Sequence, residues 1–70
     1  MIAPCAWAEM IHRLRRLGWT GPFYRGKHPY MVSGTRRLTI PNKHATDIPS
    51  GTLRNVLRIA GISDDKWNQA

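Results

Sequence analysis

The sequence predicts a small α+β fold in which two helices pack on one face of a three-stranded antiparallel sheet. Three observations predict this fold: helical apolar spacing near the start of the chain, the same spacing near its end, and short β-favouring runs between turn residues in the middle. A chain of 70 residues has room for one such unit. We therefore expect residues 1–70 to form a single domain.

The first helix is predicted at residues 4–17. Pro4 suits the first turn of a helix, and Gly18 suits the left-handed position just beyond the last turn. Apolar residues follow the i, i+3, i+4, i+7 rule, and they are Trp7, Met10, Ile11, Leu14 and Leu17. Arginines between them give this helix a basic outer side.

The middle of the chain contains three short runs that favour strands. Residues 19–25 are rich in aromatic and β-favouring residues, although a Gly-Pro pair interrupts them. Residues 28–32 and 36–40 form two further runs, joined by Ser33 and Gly34 as a two-residue hairpin turn. These three runs predict the antiparallel sheet.

A loop and a second helix follow the predicted strands. Residues 41–49 include two prolines and no sustained period, so they predict an exposed loop and a candidate functional segment. Ser50 is the expected N-cap of the helix, and Gly61 is its stop signal. The helical spacing itself is carried by Leu53, Val56, Leu57 and Ala60.

A short helical tail is expected at the end of the chain. Ser63, followed by Asp64 and Asp65, suits the start of one last turn that carries Trp67. The predicted order is therefore helix, three strands, helix and a short tail. With both helices on one side of the sheet, this is the plan of the double-stranded-RNA-binding type of fold.

The chain is strongly basic, because 11 Lys and Arg stand against four Asp and Glu, a formal net charge of +7. Such a field attracts polyanions, nucleic acid above all, although charge also keeps small proteins soluble without any such partner. Cys5 is the single cysteine, which excludes an internal disulfide or a cysteine zinc site and favours a reducing cytoplasm. The apolar start is too short for an export signal or a membrane span.

Four motifs resemble those of the HicA-type toxins, also called YcfA-like proteins. Residues 17–19, Leu-Gly-Trp, resemble the family's entry to its first strand, and residues 26–28, Gly-Lys-His, resemble the motif that carries its catalytic histidine. Ile40-Pro41 followed by His44 resembles its proline and histidine loop, and residues 51–62 resemble its second helix. The resemblance covers residues 7–62.

The resemblance implies the toxin of a type II toxin–antitoxin system, an mRNA interferase that cuts RNA independently of the ribosome. It also implies His28 as the catalytic residue and a HicB-type antitoxin as the inhibiting partner. Three positions differ from the family pattern: Lys27 stands where Ser or Gly is common, and Pro29 and Met31 replace a residue and an aromatic that are common after the histidine.

His28 is suited to acid–base cleavage of RNA. Cleavage without a metal needs a base for the 2′-hydroxyl proton, positive groups around the phosphorus and an acid for the leaving oxygen. Histidine suits both proton transfers near neutral pH, and Gly26 leaves room for a phosphate. An isolated strand histidine is more often bonded to a carbonyl, but the family motif favours catalysis. Strand alternation groups His28 with Tyr30 and leaves open which face is buried.

His44 is either a second acid or base, a phosphate contact, or an ordinary exposed loop histidine. His12 has no motif around it and is expected to be solvated. A metal-dependent nuclease needs clustered carboxylates, and the four present do not cluster with a histidine motif. We therefore expect neither a metal nor another cofactor.

The remaining candidates are basic or aromatic side chains that would bind phosphates or stack on bases. They are Lys27, Arg25, Tyr30, Arg36, Arg37, Lys43, Arg54 and Arg58. The last two lie one helical turn apart, a spacing that is also common on a merely solvated face. Trp19, Phe23 and Tyr24 offer aromatic surface too, but most aromatic residues of so small a protein are expected in the core.

The leading hypothesis is thus a cytoplasmic, metal-independent RNA endonuclease. The main alternative is a non-catalytic RNA-binding module of the same fold. A third alternative is an interaction protein whose basic face docks an acidic partner. Contact of the first helix with anionic membranes is disfavoured by the shortness of its apolar stripe.

Overall fold

A computed structural model of the protein describes residues 1–43 and 46–70. The elements in chain order are α1 (Trp7–Arg16), β1 (Thr20–Tyr24), β2 (Pro29–Ser33), β3 (Arg36–Thr39), α2 (Ser50–Ala60) and α3 (Asp64–Gln69). The strands form one antiparallel sheet in the order β1-β2-β3. The predicted α+β class is confirmed, including the helical tail.

The core lies between the helices and one face of the sheet, here called the inner face. Met31 of β2 and Leu38 of β3 are buried there with 0% and 1% of their surface exposed. The helical apolar spacings are confirmed, because the buried helix residues are Met10, Ile11, Leu14, Leu53, Val56, Leu57 and Ala60. Full burial of each large side chain contributes about 1.5–3 kcal/mol, so this layer stabilises the fold.

The structure decides which face of β2 is buried. Pro29 and Met31 are buried, whereas Tyr30 and Val32 are half-buried on the opposite, outer face of the sheet. Tyr30 pairs with Phe23 of β1, and Val32 pairs with Arg37 of β3. Directly paired residues point to the same side of a sheet. The outer face is therefore formed around Phe23, Tyr30 and Arg37.

Helix α1 begins at Trp7, so the prediction that Pro4 lies in its first turn is wrong. The preceding segment is extended because Cys5 exchanges two backbone hydrogen bonds with Ile48, at 3.3 and 2.7 Å. The predicted end is nearly right: the helix stops at Arg16, and Gly18 has the expected positive φ of 99°.

Two other predicted boundaries are shifted by one residue. Ser33 pairs with Arg36, so the hairpin turn consists of Gly34 and Thr35 rather than Ser33 and Gly34. Gly34 has φ 61°, which two-residue hairpin loops favour at their first central position. Ser50 is not the N-cap of α2, because it is already helical and the extended Pro49 takes the cap position.

The last residue of α2 and the first residue of α3 are flanked by the predicted caps. Gly61 ends α2 in the left-handed conformation with φ 74°. The Ser63 hydroxyl accepts a hydrogen bond from the Lys66 backbone N–H at 3.2 Å and so caps α3. Within residues 1–43 and 46–70, no helix has the length and apolar character needed to cross a membrane.

Candidate functional site

His28 lies at the end of a four-residue connection between β1 and β2. Tyr24 pairs with Pro29, so residues 25–28 form the loop between them, here called the histidine loop. The prediction that His28 belongs to β2 is therefore wrong: pairing with Tyr24 begins only at Pro29. All four loop residues are exposed, so the imidazole is accessible to a large ligand.

Gly26 gives the histidine loop its shape. Its φ is 88°, a conformation that side-chain-bearing residues rarely adopt. A Cβ built at Gly26 meets no atom within 4 Å, so conformation rather than crowding explains the glycine. The space beside it is open to an approaching phosphate.

Two positive side chains accompany His28 on this loop. Arg25 and Lys27 are both exposed, and neither has an ion pair or a side-chain hydrogen bond with any described residue. Both charges are thus available to an anion from solvent. A phosphate beside His28 would have two cations within the same short loop.

The outer face begins next to the histidine loop. The rings of Phe23 and Tyr30 lie 5.6 Å apart, centroid to centroid, with their planes tilted by 38°. The Arg37 guanidinium carbon lies 4.1 Å from the centre of the Tyr30 ring, a close cation–π contact. Two aromatic rings and one guanidinium therefore form a continuous surface.

The expectation that most aromatic residues lie in the core is wrong for β1. Trp19, just before the strand, is buried with 5% exposure, but Phe23 is 42% and Tyr24 is 69% exposed. Phe23 is exposed because it alternates onto the outer face of an edge strand, and Tyr24 because it ends that strand. The position of Phe23 opposite Tyr30 could have indicated that both rings share the outer face. The sequence does not reveal this pairing, because the Gly-Pro pair and a bulge between Thr20 and Phe23 shift the register of β1 against β2.

The side chains of Arg36 and Arg37 lie on opposite faces of the sheet. Its Nη2 donates a hydrogen bond to the Ile59 carbonyl oxygen of α2 at 3.0 Å, and its guanidinium carbon lies 5.5 Å from the Trp19 ring centre. These contacts connect β3 to the end of α2. Of the two adjacent arginines, the structure brings only Arg37 together with Tyr30.

Arg54 and Arg58 lie on α2, which packs against the inner face. Arg54 Nη1 lies 3.8 Å from Asp64 Oδ2, a solvent-exposed pair. Arg58 donates a hydrogen bond to the Asn55 side-chain oxygen. Both arginines thus belong to the layer of helices that covers the inner face, here called the helical layer, and are not part of the outer face.

Lys43 is exposed in the segment after β3. The start of this segment is fixed, because the Trp7 indole N–H donates to the Pro41 carbonyl oxygen at 2.8 Å. The predicted second site histidine, His44, lies outside the described residues. Among those described, no three His, Cys, Asp or Glu side chains come together in a way that would hold a metal ion.

A shallow surface depression of about 320 Å³ is found elsewhere, between the ends of α1 and α3. It is lined by Arg16, Leu17, Lys66, Gln69 and Ala70, none of which is a candidate site residue. The described part of the candidate site, the histidine loop, is exposed on the surface, a form suited to an extended polymer.

The protein is a small α+β domain with an exposed, basic histidine loop. The family model of the HicA toxin of bacterial toxin–antitoxin systems matches residues 7–62, from α1 through α2. The chain belongs to this HicA toxin family, so it is a toxin of a toxin–antitoxin system and has a cognate antitoxin as its partner. No curated protein matches the chain at a significant level.

Proposed function

We propose that this HicA toxin is an mRNA interferase, an endoribonuclease that uses His28 as a general acid or base. The observation that carries this proposal is the exposed His28 imidazole on a loop with two cations that pair with no described residue, inside the family-matched segment. Acid–base catalysis by a positioned side chain contributes about 10²–10⁴-fold to a rate.

The proposed reaction is an attack of the RNA on its own backbone. A base takes the 2′-hydroxyl proton, the 2′-oxygen bonds to phosphorus, and the bond from phosphorus to the 5′-oxygen breaks. An acid then gives a proton to that leaving oxygen, so that a 2′,3′-cyclic phosphate and a 5′-hydroxyl result. His28 performs one of these proton transfers, and His44 is proposed as the second acid or base or as a phosphate contact.

Positive charge in the histidine loop supports the same reaction. Arg25 and Lys27 flank Gly26 and stabilise the charge that accumulates on the phosphoryl oxygens during attack. Lys43 and Arg37 extend the proposed phosphate contacts beyond the loop. Arg36, Arg54 and Arg58 are also proposed as phosphate contacts, although each has a described contact within the protein.

Family membership supports the biological setting that we propose. The substrate is mRNA, and the site of action is the cytoplasm. The partner is an antitoxin of the HicB type that inhibits the toxin by covering the histidine loop. We further propose that the chain acts as one domain without a metal or other cofactor.

Replacement of His28 by alanine tests the catalytic assignment. We expect induced wild-type protein to arrest growth and fragment cellular RNA, and His28→Ala to abolish both, with purified protein losing about 10²-fold or more in cleavage rate. His12→Ala is the matched control, because His12 is an exposed histidine on α1 outside the proposed site. Circular dichroism verifies that all three proteins are folded.

Two results would contradict the proposal. Undiminished cleavage by folded His28→Ala would remove His28 from the mechanism. Purified wild-type protein that binds RNA and leaves it intact would identify a non-catalytic RNA-binding module.

A further inference from the structure

We infer that the outer face of the sheet is a stacking surface for an unpaired RNA base, formed by Phe23, Tyr30 and Arg37. This inference rests on the proposed function for the identity of the ligand as RNA, and it adds the structural class of the substrate. The toxin would recognise single-stranded RNA and exclude duplex RNA.

The first argument is that the Phe23 ring of this face is partly uncovered, beside the half-buried Tyr30. The helices pack against the inner face, and Phe23 keeps 42% of its surface exposed although it is among the most apolar residues of the chain. The Phe23 ring lies 5.6 Å from the Tyr30 ring, centroid to centroid. The exposed part of an aromatic ring adds little to folding, but it suits a flat aromatic ligand.

The second argument is the charge around the rings. Residues 20–43, which contain the whole sheet, include five Lys and Arg, and all four Asp and Glu of the chain lie outside this segment. Arg37 is held over Tyr30 and forms no ion pair with a described residue. A guanidinium can stack on a base and also donate hydrogen bonds to it. The face is thus complementary to an aromatic ligand that carries negative charge.

The third argument is the position of this face next to the proposed catalytic group. Tyr30 follows His28 by two residues, so their Cα atoms are separated by at most about 7 Å. Arg25 and Lys27 lie in the loop between Phe23 and His28. A nucleotide whose base stacks on the outer face would therefore have its phosphates beside the loop cations and His28.

Stacking on this face requires an unpaired base. In a duplex each base is covered on both sides by its neighbours, and proteins contact such RNA through its shape, phosphates and 2′-hydroxyls. An unpaired base can instead be splayed out onto an aromatic ring, and this stabilises binding whatever the base identity. The outer face therefore favours single strands.

The test uses His28→Ala as the parent protein, so that the RNA remains intact. The probe is a short single-stranded RNA that contains 2-aminopurine, whose fluorescence falls when it stacks, and the comparison is a duplex of the same sequence. We expect the single strand to bind the parent about tenfold more tightly or better, with quenching of the probe. Phe23→Leu should weaken binding by about fivefold or more and reduce the quenching.

Matched variants separate stacking from general effects. Phe23→Trp keeps an aromatic ring and should retain quenching, and Arg37→Lys keeps the charge but removes the planar group and should reduce it. Ile59→Ala is the control, because Ile59 is an exposed apolar residue on α2, with 55% exposure, outside the proposed surface. Thermal melting verifies that each variant is folded.

If duplex and single strand bind equally and Phe23→Leu has no effect, the outer face is not a stacking surface. The proposed cleavage by His28 would not be affected by this result. Undiminished RNA binding by Phe23→Leu together with loss of antitoxin binding would also overturn it and make this face a protein-docking surface. An absence of RNA binding by the parent itself would overturn both this inference and the proposed function.

Discussion

At the scale of residues, adjacent residues of a strand have different roles because their side chains point to opposite faces of the sheet. Arg36 points to the inner side and binds the Ile59 carbonyl oxygen, whereas Arg37 points to the outer side and covers Tyr30. The sequence places both arginines in one basic run and does not distinguish them. Their roles follow only from the pairing of β2 with β3.

Cys5 illustrates a residue whose reactivity is controlled by its surroundings. Partial burial beside Ile48 raises the pKa of the Cys5 thiol, and the positive charge of Arg13 opposes this only in part. Because a raised pKa leaves less thiolate at a given pH, we expect the native protein to react with a disulfide reagent several-fold more slowly at pH 8 than the urea-unfolded protein. Equal rates for the native and unfolded chains would contradict this.

At the scale of elements, the sequence predicts which segments are helices and strands better than where they end. Helical spacing identifies α1 and α2 because it reports burial of one side of a helix, a local property. The failures at Pro4 and at the hairpin turn have another cause. They depend on pairing between segments, Cys5 with Ile48 and Ser33 with Arg36, which no local pattern reports.

The same reasoning applies to the candidate site. The family motif identifies His28, but its place in a loop follows from pairing between Tyr24 and Pro29. The exposure of Phe23 follows from the register of β1, which a bulge shifts. Residue type therefore suggested the chemistry, and strand pairing determined which side chains meet.

Helix α3 depends on tertiary contacts. A helix of six residues is too short to be stable alone. Its Trp67 is buried with 1% exposure, and the Arg13 side chain both donates to the Trp67 carbonyl oxygen at 3.2 Å and lies 5.3 Å from the indole ring centre. Arg13 also donates to Glu9 Oε2 at 3.0 Å. One arginine of α1 thus holds the end of the chain.

Arg13→Ala should therefore lower the free energy of unfolding, by about 1–3 kcal/mol, since it removes the hydrogen bonds to Trp67 and Glu9 and a cation–π contact. Arg16→Ala is the control, because both arginines lie in the last turn of α1 and interact similarly with the helix dipole. Urea unfolding measures the difference. Equal unfolding midpoints for the two variants would show that the contacts of Arg13 do not stabilise the fold.

The Glu9 partner makes part of this effect dependent on pH. The hydrogen bond from Arg13 lowers the pKa of the Glu9 carboxyl group below its ordinary value. A lowered pKa in the folded state means that the interaction stabilises the fold above the unfolded pKa and is lost as the pH falls through the folded pKa. The difference between Arg13→Ala and the wild type should accordingly become smaller in acid.

At the scale of the whole molecule, the carboxylates are separated from the sheet. The four carboxylates are Glu9, Asp47, Asp64 and Asp65, in the helices and the segment before α2, and none lies in the sheet or its hairpin connections. The sheet layer is therefore purely cationic. A long-range field of this kind speeds encounter with a polyanion. We propose that short-range contacts at the histidine loop determine where the RNA phosphates are held.

These two effects can be separated by the salt dependence of binding to single-stranded RNA. Each phosphate neutralised on a single strand contributes about −0.7 to the slope of log K against log salt concentration. The double variant R25Q/K27Q, made in the His28→Ala protein, should therefore lose about 1.4 from the magnitude of that slope and bind more weakly at low salt.

The matched control is R16Q/K66Q in the same His28→Ala protein. Both double variants lower the formal net charge by two, but the control removes exposed cations of the helical layer. If the loop cations contact phosphates directly, only R25Q/K27Q should change the slope substantially. Equal changes in the two variants would mean that RNA responds to the overall field of the protein and not to the histidine loop. In that case the proposed position of the phosphates beside His28 would lose its electrostatic support.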